Sequence, residues 1–279
     1  MNNQLHRSAI IIFVCVFPWT QGSWIFSLLG QGNPPQNPFA AGVRNTEPLS
    51  PAQERQAFEL PPGFEIELVA SEPDISKPMN MAFDAKGQLW VTDTLEYPFP
   101  APSNQKGRDS IKVFSDTDKD GAYDKITTFA DGLNIPIGLY PYKNGVLVWS
   151  IPNLWWYEDT DGDGMADRRE KRYGPLGWER DTHGMNASFT RGFDGWLYAT
   201  HGFNNDTTIT GTDGSRVVMN SGNTYRVRLD GSRVEQHTFG QVNPFGMCLD
   251  PLGNFYTADC HSAPVYQLLR GGYYPSFGK

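Results

Sequence analysis

The sequence predicts an all-β chain: a β-propeller of the six- or seven-bladed type, with about four blades present. Three observations predict it. Hairpin signatures recur at blade-like intervals, an acidic loop motif is duplicated, and no sustained helical period follows Leu60.

In each hairpin signature an apolar run meets a glycine turn and a β-rich run leaves it. They are MAFDAKGQLWVTDT from Met81, IGLYPYKNGVLVWSI from Ile137, ASFTRGFDGWLYATHG from Ala187 and FGMCLDPLGNFYTADC from Phe245. Their turn glycines, Gly87, Gly145, Gly195 and Gly253, are 58, 50 and 58 residues apart. Apolar runs flanking a short Gly, Asn or Asp turn make hairpins. A blade needs about four strands in roughly 40 to 60 residues, so the spacing suits blades. Pro78, Pro136 and Pro244 each precede an apolar strand, where a missing N–H does no harm.

The duplicated loop reads FSDTDKDGAYD from Phe114 and YEDTDGDGMAD from Tyr157, offset by 43 residues. The first copy carries Asp116, Asp118, Asp120 and Asp124, and the second carries Asp159, Asp161, Asp163, Asp167 and then Glu170. Alternate carboxylates with glycine at the sixth place follow the ligand rhythm of a calcium loop. Glu170 holds the twelfth position of the second loop, where the first has Thr127. Asp and Gly also make ordinary turns, but two copies with a fourth acid favour a bound cation. No convincing helix flanks either loop, so the ion is expected to pin an inter-strand loop rather than to build an EF-hand.

Taken in order, the chain begins with a cationic start and the apolar run AIIIFVCVF from Ala9. Residues 1–30 read as a secretory signal, with an uncleaved membrane anchor as the alternative. Residues 31–59, rich in Pro, Asn and Gln, read as a linker, and 60–279 as the propeller, its first strand expected at Phe64 to Ala70. Export would place the protein in the periplasm, or anchored and facing it, where even a weak calcium site fills. The chain stops at Lys279 in GGYYPSFGK, and the reading is of an incomplete propeller. The net charge of −8 argues against a nucleic-acid partner. Cys248 and Cys260 flank the Gly253 hairpin without being equidistant from it, which leaves a disulfide undecided. No CxxCH is present, so no covalent haem is expected on this chain.

For chemistry, the segment WERDTHGMNASF puts His183 just before an inner strand, with Arg180 and Asp181 beside it. An imidazole there suits a general base. Spacing alone slightly favours a hydrogen-bonded structural histidine. His201 and His261 follow the corresponding outgoing strands, in HGFNN and DCHSA. The three histidines line one channel mouth or are unrelated surface residues; joint metal ligation is the minority reading. Arg180, Arg191, Trp178, Trp196 and Asn243 are further channel candidates.

The segments LPPGFEIELVA, DTDKDGAYDKITTFADGLNIPIGL, DTDGDGMADRRE, DTHGMNASFTRGFDGWLYATHG and NPFGMCLDPLGNFYTADCHS lie between Leu60 and Ser262 and carry a resemblance that takes in the whole of residues 60–279. As a set they resemble the N-terminal propeller of the PVC-type membrane-bound dehydrogenases, exported proteins whose longer members carry a haem-binding CxxCH domain. More distantly, the chain is similar to soluble quinoprotein glucose dehydrogenase, a six-bladed propeller using pyrroloquinoline quinone and calcium.

That second resemblance implies His183, ahead of Phe193-Asp194-Gly195, as the base that takes a substrate hydroxyl proton. It implies Asn243 as a group beside the cofactor, and Arg180, His201 and His261, from their places at the channel mouth, are the other candidate cofactor-binding residues. The family's Arg-Asn-Pro-x-Gly-Leu segment reads Val242-Asn243-Pro244-Phe245-Gly246-Met247 here, so its arginine is lost. The acidic residue expected after the YxTxG strand is also absent. Two functions follow as expectations. One is an exported quinoprotein-type sugar or alcohol dehydrogenase passing electrons to a cytochrome c domain or protein. The other is a non-catalytic, calcium-stabilised propeller that binds carbohydrate or protein.

Overall fold

The computed structural model describes residues 46–260 and 265–275; the signal or anchor segment and His261 lie outside them. The chain divides into two units, Met1–Leu49 and Ser50–Lys279. Of the first, only 46–49 are described, and they are exposed. The second opens with helix α1 (Pro51–Ala57), inside the stretch read as linker. Its N-terminus is closed by a Ser50/Gln53 capping box, and it buries no residue.

Sheets follow. Strands β1 (Lys77–Phe83), β2 (Leu89–Thr94), β3 (Asp109–Ser115) and β4 (Lys125–Leu133) pair antiparallel in sequence order, as do β5 (Leu139–Tyr142), β6 (Gly145–Ser150), β7 (Asn153–Glu158) and β8 (Arg168–Tyr173). The third sheet starts with β9 (Ala187–Arg191) and β10 (Leu197–His201). A separate hairpin, β11 (Asp206–Thr210) with β12 (Arg216–Asn220), then intervenes before β13 (Gly222–Val227) and β14 (Val234–Gln241) complete that sheet. The fourth holds β15 (Asn243–Leu249), β16 (Phe255–Cys260) and β17 (Tyr266–Leu268). The first strands touch one another in turn, β1 on β5, β5 on β9 and β9 on β15, so they form the inner ring. These are four propeller blades.

The strand next to the inner one is covered by a blade on each side, and side chains alternate between those sides. In β6, Val146 and Val148 pack toward blade 1 with Val113 and Phe129, while Leu147 and Trp149 pack toward blade 3 with Leu197 and Tyr225. In β10, Leu197 and Ala199 face blade 2, whereas Tyr198 faces blade 4 with Phe255. This explains why GVLVWS and LYATH are buried at every position rather than at alternate ones. The core is therefore a series of inter-blade layers.

Two expectations change, and the open question of a disulfide is answered. Phe64 to Ala70 forms no strand, because no ladder partner lies beside it among the described residues; Ala70 packs on Leu89, Val91 and Phe114 instead. Gly145 is not the turn residue of its hairpin. Lys143 takes the positive φ of 53°, and Gly145 opens β6 where a Cβ would stand 2.1 Å from the Tyr157 carbonyl oxygen. Cys248 and Cys260 are free and exposed, and they pair with Tyr256 and Asn243 at opposite ends of the β15–β16 hairpin.

Candidate functional site

In an up-and-down blade, the link entering an inner strand and the link joining second to third strands emerge at one end. The hairpin turns and the third-to-fourth links emerge at the other. His183 lies in a link of the first kind, between β8 and β9, and Tyr97 lies in the β2–β3 link of blade 1. The acidic loops are both third-to-fourth links, after β3 and after β7. The duplicated acidic motif and the histidine segment therefore occupy opposite ends of the propeller.

At the histidine end, buried Asp109 shapes the loop that carries Tyr97. Its carboxylate accepts from Thr94 Oγ1 at 2.8 Å, from the N–H groups of Leu95 and Glu96 at 2.6 and 2.9 Å, and from Ile135 N–H at 2.7 Å. The His183 loop reaches this one through Thr182, whose hydroxyl donates to the Pro98 carbonyl at 2.7 Å. The Tyr97 and His183 rings meet edge to face at 5.6 Å between centroids.

Asp181 accepts from the His183 backbone N–H at 2.7 Å and lies 3.2 Å from Nδ1. Its own backbone is held by Asn205, whose Oδ1 accepts from Arg180 and Asp181 N–H and whose Nδ2 donates to the Asp181 carbonyl. With Nδ1–H turned to the carboxylate, Nε2 is the free lone pair, and the side chain is 66% exposed. Burial, and then the Asp181 charge, push the Tyr97 phenol upward, so it stays protonated beside the imidazole.

The other sequence candidates fall in different places. Arg180 pairs with Asp206 at 2.8 Å, at the base of the inserted hairpin. Asn243, at the entry of β15, accepts from Phe203 N–H at 3.2 Å, and a Cβ on Gly184 would stand 2.7 Å from its Oδ1, so it abuts the His183 loop. Trp178 packs onto the core between blades 2 and 3.

His201 is not at the mouth: it is 1% exposed, and its Nδ1 and Nε2 lie 2.7 Å from the Ser221 carbonyl and Thr207 Oγ1. Both nitrogens serve to tie the hairpin to the blade. Arg191 and Trp196 sit at the hairpin-turn end, away from His183, with Trp196 beneath the guanidiniums of Arg226 and Arg228. Tyr97 and Asn205 were missed by sequence reasoning. The aromatic and proline content of LEYPFP, in a second-to-third link, was the available signal for Tyr97.

The acidic loops form two matching clusters, Asp116/Asp118/Asp120 and Asp159/Asp161/Asp163, each with carboxylate oxygens within 4.8 Å of one another. That spread matches oxygens on either side of one ion at bonds of about 2.4 Å, so the donor set fits calcium. Asp116 accepts from Lys119 and Gly121 N–H, and Asp159 from Gly162 and Gly164 N–H. Burial raises the Asp159 pKa, but the Gly162 and Gly164 N–H groups outweigh it and hold the carboxyl below its usual range. Asp124 and Asp167 stand outside the clusters, each clasping the backbone and hydroxyl of Thr117 or Thr160. Glu170 does not close the second cage either. It lies on β8, 2.6 Å from Arg172.

Residues 50–276 match a family described as a domain of unknown function, DUF7133. The chain belongs to that family. No curated protein matches it by sequence. Among solved structures, it is similar to the PQQ domain of pyranose dehydrogenase from Coprinopsis cinerea in its holo form, with a TM-score of 0.52 and 13% identity over 77% of this chain and 57% of that one. A gluconolactonase from Xanthomonas campestris is similar at a TM-score of 0.46 and 17% identity, over 74% of this chain and 61% of that one. The likeness to the first shows a β-propeller fold for this DUF7133 member, and the chain spans about three fifths of the length of these structures.

Whether the histidine end fits pyrroloquinoline quinone can be judged from its charges. That cofactor carries three carboxylates. Of the basic groups described there, Arg108 is paired with Glu96 at 2.9 Å, Lys106 with Asp131 at 2.8 Å and Arg180 with Asp206, while Lys77 is bound to the carbonyls of Leu95 and Tyr97. These residues by themselves do not make a clamp for a tricarboxylate.

Proposed function

We propose that the His183 end binds a sugar or alcohol, and that His183 takes the proton from one of its hydroxyl groups. The observation supporting this is the Asp181–His183 pair, which leaves Nε2 exposed beside a protonated Tyr97. Asp181 fixes the ring and stabilises the imidazolium that proton uptake would create. Tyr97 O–H is a donor for a second substrate oxygen. On this reading the chain is the propeller of an exported, quinoprotein-type dehydrogenase, periplasmic or attached to the membrane facing the periplasm. Calcium serves structure at the far end, and a cytochrome c domain or protein accepts the electrons. The quinone itself needs more cationic groups than this end supplies, so no step is derived through it.

The test is dye reduction with a panel of sugars and alcohols, with calcium and added quinone, alongside calorimetric substrate binding. Turnover that falls at least about 100-fold in His183→Ala, with binding retained, supports the base. Binding without any turnover supports the second reading, a calcium-stabilised carbohydrate-binding propeller, which the uncompleted charge set favours. Neither binding nor turnover defeats both.

A further inference from the structure

The opposite end of the molecule carries a cleft of about 490 Å³ between blades 2 and 3. In a protein of net charge −8, five basic side chains line it: Lys143, Arg168, Arg172, Arg191 and Arg228. Only two carboxylates join them, Glu158 and Asp230. Glu158 is engaged by Arg168, and Arg172 is held by Glu170. Among the described residues no carboxylate pairs with Lys143, Arg191 or Arg228. Three cations therefore line one concavity without an ion-pair partner, and Asp230 is the one lining carboxylate left to set against them.

The cleft is also shaped. The Arg228 guanidinium lies over the Trp196 ring, its Cζ 3.9 Å from the centroid, and donates to the Gly195 carbonyl at 3.2 Å. Arg191 converges on the same point: a Cβ on Gly195 would lie 3.7 Å from its Nη2 and 3.6 Å from Arg228 Nη1. Gly195, at φ +78°, thus leaves open the space that both guanidiniums border. At the rim, Tyr142 exposes its ring edge-on to buried Trp156, with the Lys143 ammonium 5.2 Å from the Tyr142 centroid.

We infer that this cleft binds an acidic oligosaccharide, one carrying carboxylate or sulfate groups. The paired guanidiniums over Gly195 meet an anionic substituent through forked hydrogen bonds. Tyr142, stacked on Tyr140 and with Lys143 over its ring, offers its hydroxyl at the rim to a neighbouring sugar unit. Nucleic acid is the less suitable polyanion, because a chain of net charge −8 repels a long phosphate backbone that reaches beyond the cleft. The site lies at the end of the blades away from His183, so it is separate from the base-catalysis reading.

The test is titration calorimetry of the full chain with trigalacturonate and a sulfated heparin tetrasaccharide, against neutral cellotetraose, inorganic sulfate and a short single-stranded oligonucleotide. Acidic saccharides should bind at least about tenfold more tightly than cellotetraose, and binding should weaken as salt rises. Arg191→Gln should weaken it severalfold while leaving the Arg228–Trp196 stack and the melting temperature unchanged. The Arg191→Gln/Arg228→Gln pair should abolish it. Equal affinity for neutral and acidic saccharides would overturn the inference, as would an unaffected Arg191→Gln. Sulfate or the oligonucleotide binding as tightly as the saccharides would overturn it too.

Discussion

The Asn80 side-chain oxygen accepts a hydrogen bond from the backbone N–H of Gly138 at 2.7 Å, joining the inner strand of blade 1 to the entry of blade 2. The same link recurs between blades 3 and 4, where Ser188 Oγ accepts from Gly246 N–H, also at 2.7 Å. Both spans cover 58 residues, and both donors sit at positive φ, +97° and +100°. At Gly138 a Cβ would stand 3.1 Å from the Ala187 Cα, a tight fit, so the space adds to the preference for glycine that the positive φ sets. Asn80→Ala leaves that N–H without its acceptor. It should cost about 1 to 3 kcal/mol in urea unfolding, with little change in the slope of the transition.

Trp149 is fully buried between blades 2 and 3, against a cluster that includes Leu147, Leu197 and Tyr225. Trp149→Ala removes the largest fully buried side chain of that layer, and its neighbours belong to two rigid sheets that close over a void only partly. A loss of about 3 to 5 kcal/mol is expected. Denaturant melts would show it, and Trp149→Phe should recover much of it.

How far the fold was legible follows from these two residues. Trp149 lies in an apolar run bounded by turn residues, and periodicity and turn chemistry are local, so all four hairpins were readable from sequence. The Asn80–Gly138 link was not, because nothing local distinguishes an asparagine that reaches the next blade from one in solvent. The site divides in the same way. His183 was found from its place before an inner strand, but its ring neighbour Tyr97 comes from another blade and only the closed arrangement brings the two together. His201 was assigned to the right end of its strand and the wrong environment, since burial behind the β11–β12 hairpin leaves no mark on the spacing. Phe64 to Ala70 alternates as strands do, yet a strand also needs a partner edge.

The acidic loops should respond to calcium removal unequally. The second loop is joined to the neighbouring blade, since Ala166 N–H donates to the Phe129 carbonyl of β4 at 2.7 Å. Ion loss there loosens a blade contact as well as a turn. A chelator should lower the melting temperature, calcium should restore it, and Asp161→Asn/Asp163→Asn should remove more of that response than Asp118→Asn/Asp120→Asn. A melting curve indifferent to chelator would remove the ion from the account.

Stability should also fall in mild acid, through His237. This side chain is 5% exposed on β14, its ring edge-on to Tyr198 at 5.0 Å and near Phe255 at 5.7 Å, and neither ring nitrogen has a hydrogen-bond partner among the described residues. Burial, then the Arg226 and Arg270 charges, lower its pKa from 6.5 to about 4, against a smaller opposing pull from Asp194. The unfolded chain therefore takes up the proton first as pH drops. The contribution is complete above about pH 6.5 and is lost progressively toward pH 4, amounting to at most about 3 kcal/mol. Protonation would put a third cation beside Arg226 and Arg270 where blade 3 meets blade 4. His237→Phe should flatten the pH dependence of urea stability between pH 6.5 and 4 relative to the parent. Parallel profiles for the two proteins would show that other groups carry the acid response.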